Sequence, residues 1–188
     1  AKSTFISPEN NIPANSNLYF TDITTDLGLR YKHTENEYDD FKKEILLPHK
    51  ESQNGPCIAS GDVDGDGLKD VFIGSASGYE SYILYQKENH SFYLKETSPF
   101  VADKMHEDIG AAFVDIEGDG DLDLYVISGG NEFEENSTIY QDRFYVNDGK
   151  GNFTKNNSLI PNIVSSGKSI AVSDFDQDGD MDLFIGGR

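Results

Sequence analysis

A nine-residue pattern of acids and glycines occurs three times in this chain, as DVDGDGLKD at 62–70, DIEGDGDLD at 115–123 and DFDQDGDMD at 174–182. Each copy follows a short run of small and apolar residues (CIASGDV, IGAAFVD, SIAVSDF) and precedes a β-rich run (VFIGS, LYVIS, LFIGG). A tight loop between two strands is the local reading. Repetition at this spacing also points to an array of similar units, each needing neighbours to bury its faces.

Further runs complete the unit. ILYQKENHSF at 83–92 aligns without gaps with FYVNDGKGNF at 144–153, and Asn147, Asp148 and Gly149 carry hairpin chemistry. Four short strands per unit is the content of a propeller blade, and helical periodicity of any length is absent. The expected fold is all-β, with blades of four antiparallel strands. The expected divisions are a flexible segment over 1–17, an outer strand at 18–24, an inserted linker at 25–54, blades at 55–99 and 107–160, and an incomplete blade at 167–188. The chain reads as a piece of a larger propeller whose cut edge could pair with another chain.

Counting from the first acid of each loop, side-chain oxygens fall at positions 1, 3, 5 and 9: Asp62, Asp64, Asp66 and Asp70; Asp115, Glu117, Asp119 and Asp123; Asp174, Asp176, Asp178 and Asp182. Position 6 is glycine (Gly67, Gly120, Gly179), and position 7 can offer a backbone carbonyl (Leu68, Asp121, Asp180). Hard oxygens without His or Cys select Ca²⁺ over zinc or copper, and their number in a flexible loop favours it over Mg²⁺. Three Ca²⁺ sites are expected. They answer an electrostatic problem, since the chain carries 34 acidic against 15 basic side chains, and three dications would move its net charge from −19 to about −13. An EF-hand is excluded: position 12 is Ile73, Val126 or Ile185, inside a strand instead of a bidentate Glu.

The pattern of apolar strand, DxDxDGxxD loop and apolar strand resembles the FG-GAP repeat, also called the VCBS repeat, of integrin α-subunit propellers and many bacterial surface proteins. The phrases ILLPHKESQNGP, VISGGNEF and YQDRFYVNDGKGNF resemble bacterial proteins related to the ASPIC/UnbV group. The resemblance covers about 18–188. It implies a propeller, usually seven-bladed, with Ca²⁺ loops between the first and second strands of each blade. It also implies adhesion or the binding of glycan or protein.

Composition narrows the partners. A net charge of −19 disfavours nucleic acid and anionic lipid. No run approaches the length of a membrane span. Cys57 has no intramolecular partner and reads as a small buried residue. The expected role is a Ca²⁺-binding module with structural metals, placed extracellularly, at the cell surface or in the periplasm. The stretch from Phe20 to Asp62 is about 20 residues longer than its counterparts, and GGNEFEENSTIYQD at 129–142 is a second insertion. Inserted loops on a repetitive scaffold are where binding function varies.

The alternative is part of a polysaccharide-acting enzyme, with Tyr31, His33, Asp39, Lys42, Lys43 and His49 as acid/base candidates. A solvated, mixed-charge loop has the same composition. His90 and His106 read as surface residues. Tyr82, Tyr85, Phe92, Phe144, Tyr145 and Phe153 read as packing between blades ahead of stacking on sugars.

Overall fold

A computed structural model describes residues 19–29, 31–96 and 98–187. The lead-in expected over 1–17 lies outside them. The fold is all-β, with one four-residue helix among the described residues, α1 (Asp40–Lys43), and a few single-turn segments. Strands β1 (Ile58–Gly61), β2 (Asp70–Ile73), β3 (Tyr82–Gln86) and β4 (Phe92–Tyr93) form one antiparallel sheet in sequence order. Strands β5 (Asp108–Val114), β6 (Asp123–Ser128), β7 (Arg143–Val146) and β8 (Thr154–Lys155) form a second, and β9 (Gly167–Ser173) pairs with β10 (Asp182–Gly187) in a third. The first strands lie side by side, with β5 against both β1 and β9.

Register places the three acidic loops identically. Gly61 faces Asp70, Val114 faces Asp123 and Ser173 faces Asp182, so each loop closes the first hairpin of its sheet.

Packing follows the two-residue period of the strands. Every residue of β6 is buried. Leu124 and Val126 enter the cluster shared with the first sheet, among Phe72, Ile83, Tyr85 and Phe100. Tyr125 and Ile127 face the third sheet, among Ile170, Leu183 and Ile185. A strand covered on both faces explains why DLYVIS is apolar almost throughout. Phe100 is the keystone of the first interface, edge-on to Phe72 at 5.4 Å and to Tyr145 at 5.0 Å.

Polar ties cross the same interface. Tyr85 Oη donates to the Gly151 carbonyl at 2.7 Å, and Asn147 Nδ2 donates to the Val63 carbonyl at 2.7 Å. Gly151 has φ +68°, and a Cβ there would stand 2.7 Å from the Tyr85 ring, so only glycine fits. Tyr85, Phe144, Tyr145 and Phe153 are buried, while Tyr82 and Phe92 are half-buried at the outer face of the first sheet.

Two expectations are corrected. Residues 19–24 form no strand, and Tyr19 and Phe20 are 97% and 91% exposed. A strand is held by hydrogen bonds to a neighbour, and none of the described strands pairs with this segment. His106, expected at the surface, has a side chain only 11% exposed. Its Nδ1 bonds the Ile139 carbonyl at 2.7 Å, and Asp103, Lys155, Arg143 and the Ser128 hydroxyl surround the ring.

Burial first, and then the Arg143 charge, lower the His106 pKa from 6.5 to about 4. The unfolded chain therefore takes up this proton at higher pH than the folded one. The stability that neutral His106 contributes is complete above pH 6.5 and lost as pH falls from there towards 4. Denaturant melts of the wild type should lose up to about 1.4 kcal/mol more per pH unit across this window than melts of His106→Gln. Parallel pH dependence in the two proteins would contradict the assignment.

Candidate metal centre

The three loops have one backbone. Positions 4 and 6 are left-handed in each: Gly65 and Gly67 (φ +76° and +87°), Gly118 and Gly120 (+71° and +93°), Gln177 and Gly179 (+62° and +102°). These reversals turn each loop back on itself.

The hydrogen bonds repeat with them. The position-9 carboxylate accepts from the position-2 amide: Val63 N to Asp70 at 3.1 Å, Ile116 N to Asp123 at 3.4 Å and Phe175 N to Asp182 at 2.8 Å. Its other oxygen ties the loop to the third strand's end, from Gln86 N to Asp70 and from Asn147 N to Asp123, both 2.9 Å. The position-5 carboxylate accepts from the position-7 amide: Leu68 N to Asp66, Asp121 N to Asp119 and Asp180 N to Asp178, at 2.8, 3.2 and 3.2 Å. In the first two loops the position-1 carboxylate also collects the amides of positions 4 and 6.

The remaining acids decide what the loops can hold. Asp62, Asp64 and Asp70 bring one oxygen each within 4.8 Å of one another, and so do Asp174, Asp176 and Asp182. Positions 1, 3 and 9 thus converge, while Asp66 and Asp178 bond their own turns. The backbone carbonyls of Leu68, Asp121 and Asp180 stay candidates from the sequence alone.

Among the described residues the second loop brings no such trio together. Its position 3 is Glu117, one methylene longer than Asp, and it shares a hydrogen bond with Asp123. Burial, that bond and the neighbouring carboxylates raise the Glu117 pKa.

A hard cation fits the converged trios. Asp64 Oδ1 and Asp174 Oδ1 are buried and have no hydrogen-bond partner, as is Asp121 Oδ1 in the second loop. An orphaned carboxylate oxygen among other carboxylates lacks compensation from the protein itself. Burial and then the Asp66 charge raise the Asp64 pKa. Burial raises Asp70 too, against the amides of Gln86 and Val63, with Asp64 and Asp66 adding to the rise.

The insertions, unconnected in sequence, meet in space. Asn36 Nδ2 donates to both oxygens of Glu132, Tyr38 Oη to the Asn131 carbonyl, and Lys43 Nζ to the Phe133 carbonyl. Buried Asp40 closes the first insertion by accepting from the amides of Glu51 and Ser52 and from the Ser52 hydroxyl. Burial opposes the Asp40 charge, and these bonds more than offset it, leaving its pKa below the usual carboxylate range. Beside the junction lies a cleft of about 460 Å³ lined by Lys43, Asn131, Phe133, Glu134, Tyr140 and Ser165.

Of the acid/base candidates in the first insertion, Tyr31 and His33 meet each other. Tyr31 Oη approaches His33 Nδ1 at 3.4 Å, and His33 Nε2 pairs with Glu35. His49 pairs with Glu51, Lys43 with Glu134, and Asp39 precedes α1 without capping it. Glu35, Glu107, Asn131 and Glu132, which the sequence did not single out, lie where the insertions meet the second sheet. Their positions follow no spacing rule that would have marked them.

Two four-stranded antiparallel sheets and a third hairpin, each with a matching aspartate loop between its first two strands, define an integrin-like β-propeller module. Residues 62–126 and 129–185 match the FG-GAP-like repeat, and the chain belongs to that family. No curated protein shows a significant match to the sequence. Among the described residues no helix is long and apolar enough to cross a membrane.

Proposed function

We propose that this chain is a calcium-stabilised propeller module of the cell exterior or periplasm that binds a glycan or protein ligand, with its metals structural. The observation that carries the reading is the convergence of Asp62, Asp64 and Asp70, and of Asp174, Asp176 and Asp182, with an orphaned carboxylate oxygen in each trio. Oxygen-only donors on flexible loops favour calcium, which is abundant enough outside cells to fill sites of modest affinity. The ligand surface is the junction of the two insertions, since loops on a rigid repeat scaffold carry recognition. The cleft beside Lys43 and Phe133 has the size of a small-ligand site.

A glycan and peptide array probed with the calcium-loaded chain tests the ligand. Lys43→Ala, which alters the cleft and leaves the aspartate loops intact, should weaken any hit by about 5–30-fold at unchanged melting temperature. Full binding by that variant would place the ligand elsewhere. Turnover of a bound polysaccharide would replace the binding role with an enzymatic one.

A further inference from the structure

Among the described residues, the buried oxygens without a hydrogen-bond partner are concentrated. Apart from Gln141 Oε1 and the loop residues Asp64, Asp121 and Asp174, they are Glu35 Oε2, Asn36 Oδ1, Glu107 Oε1 and Asn131 Oδ1. These four belong to the region where the first insertion, the start of the second sheet and the second insertion meet. Three contacts knit it: Gly129 N to the Glu107 carbonyl at 2.9 Å, Tyr38 Oη to the Asn131 carbonyl, and Asn36 Nδ2 to Glu132.

Glu107 is the centre of the problem. Its side chain is 1% exposed, with Oε2 accepting from Ser77 N at 3.0 Å and Oε1 accepting from nothing. Oε1 lies 3.8 Å from the point where a Cβ on Gly55 would stand, and His33 Cε1, whose ring pairs with Glu35, lies 4.0 Å from the same point, so the free oxygen and the His33–Glu35 pair both border Gly55. The charges that act on Glu107 most strongly are Glu35, Glu132 and Asp108. Of these, Asp108 is paired with Arg143, whereas Glu132 is held by the neutral Asn36 amide. Asn131, 5% exposed, adds an amide oxygen that nothing in the fold uses. A buried carboxylate facing the repulsion of half-buried neighbours, beside unused neutral oxygens, is costly unless a cation joins it.

We propose that this region holds a further hard divalent cation of the calcium class, outside the aspartate loops, with Glu35 and Glu107 as its carboxylate donors and the amide oxygens of Asn36 and Asn131 beside them. Such an ion would cross-link the first insertion to the second sheet and to the second insertion. It would make the shape of their joint surface depend on calcium separately from the stability of the blades. Donors drawn from three distant segments would give it no sequence signature.

The test compares the whole chain with Glu107→Gln and Glu35→Gln in excess calcium and in chelator. Glutamine keeps the shape and removes the charge. In chelator each variant should melt at or above the parent; in calcium each should melt below it, and equilibrium dialysis should count one bound calcium fewer per chain. An unchanged count overturns the proposal, as does a drop in melting temperature of the same size in both media. Should Glu107→Gln fail to fold, Glu35→Gln, nearer the surface, gives the same reading. Asp62→Asn, run alongside, reports on the aspartate loops alone, so a failure there leaves the Glu107 comparison readable.

Discussion

Replacing Arg143 with alanine is expected to destabilise the chain by about 3–5 kcal/mol in denaturant melts. The guanidinium is 2% exposed, pairs with Asp108 and donates to the Ser128 hydroxyl at 3.3 Å. Asp108, 1% exposed, also accepts from the Ser75 amide and the Ser81 hydroxyl of the first sheet. One ion pair thus ties the third strand of the second sheet to its first strand and to the neighbouring sheet. Removing only the cation leaves a buried carboxylate uncompensated, which is why the expected loss far exceeds that of a surface pair. Arg143→Met combined with Asp108→Leu removes both charges and should recover much of the loss. A cost under about 1 kcal/mol for Arg143→Ala would mean that water or a rearranged network compensates Asp108.

Chelation is expected to lower the melting temperature by about 10–20 °C. Two sites, each filled at about 100 times its dissociation constant, contribute about 5 kcal/mol together, and a domain of this size shifts by about 2–4 °C per kcal/mol. The effect should reach beyond the loops. Val63, inside the first loop, is 1% exposed and belongs to the core between the first two sheets, and its carbonyl accepts from Asn147 of the second. Collapse of the loop on losing its cation therefore disturbs the interface it borders. Calcium should restore the melting temperature and zinc should not, because zinc prefers nitrogen and sulfur donors. An unchanged melting temperature in chelator would remove the structural role of the metal.

Much of the scaffold was legible because its signals are local and repeated. The spacing of acids fixed the loops between apolar runs, and glycine at positions 67, 120 and 179 marked left-handed turns. What the sequence left hidden depends on contacts between distant segments. Nothing in DKMHEDIG announces that His106 and Glu107 are enclosed, because their surroundings come from residues 35, 77, 132, 139 and 143. The junction of the insertions was equally hidden, since Asn36 and Glu132 meet across almost a hundred positions. The loops read as equivalent, yet the one substitution of Glu117 for an aspartate coincides with the one loop whose carboxylates do not converge. The outer strand expected at 18–24 is absent over 19–24 for the opposite reason, as strand-like residues form a strand only where a neighbour offers its edge.

The most direct test of the account is a calcium titration of the chelator-stripped chain, with bound ions counted by calorimetry for the wild type, Asp62→Asn and Asp174→Asn. The account predicts saturable binding of at least two ions by the wild type and the loss of one ion in each variant. Absence of saturable calcium uptake, or the same count in all three proteins, would contradict it.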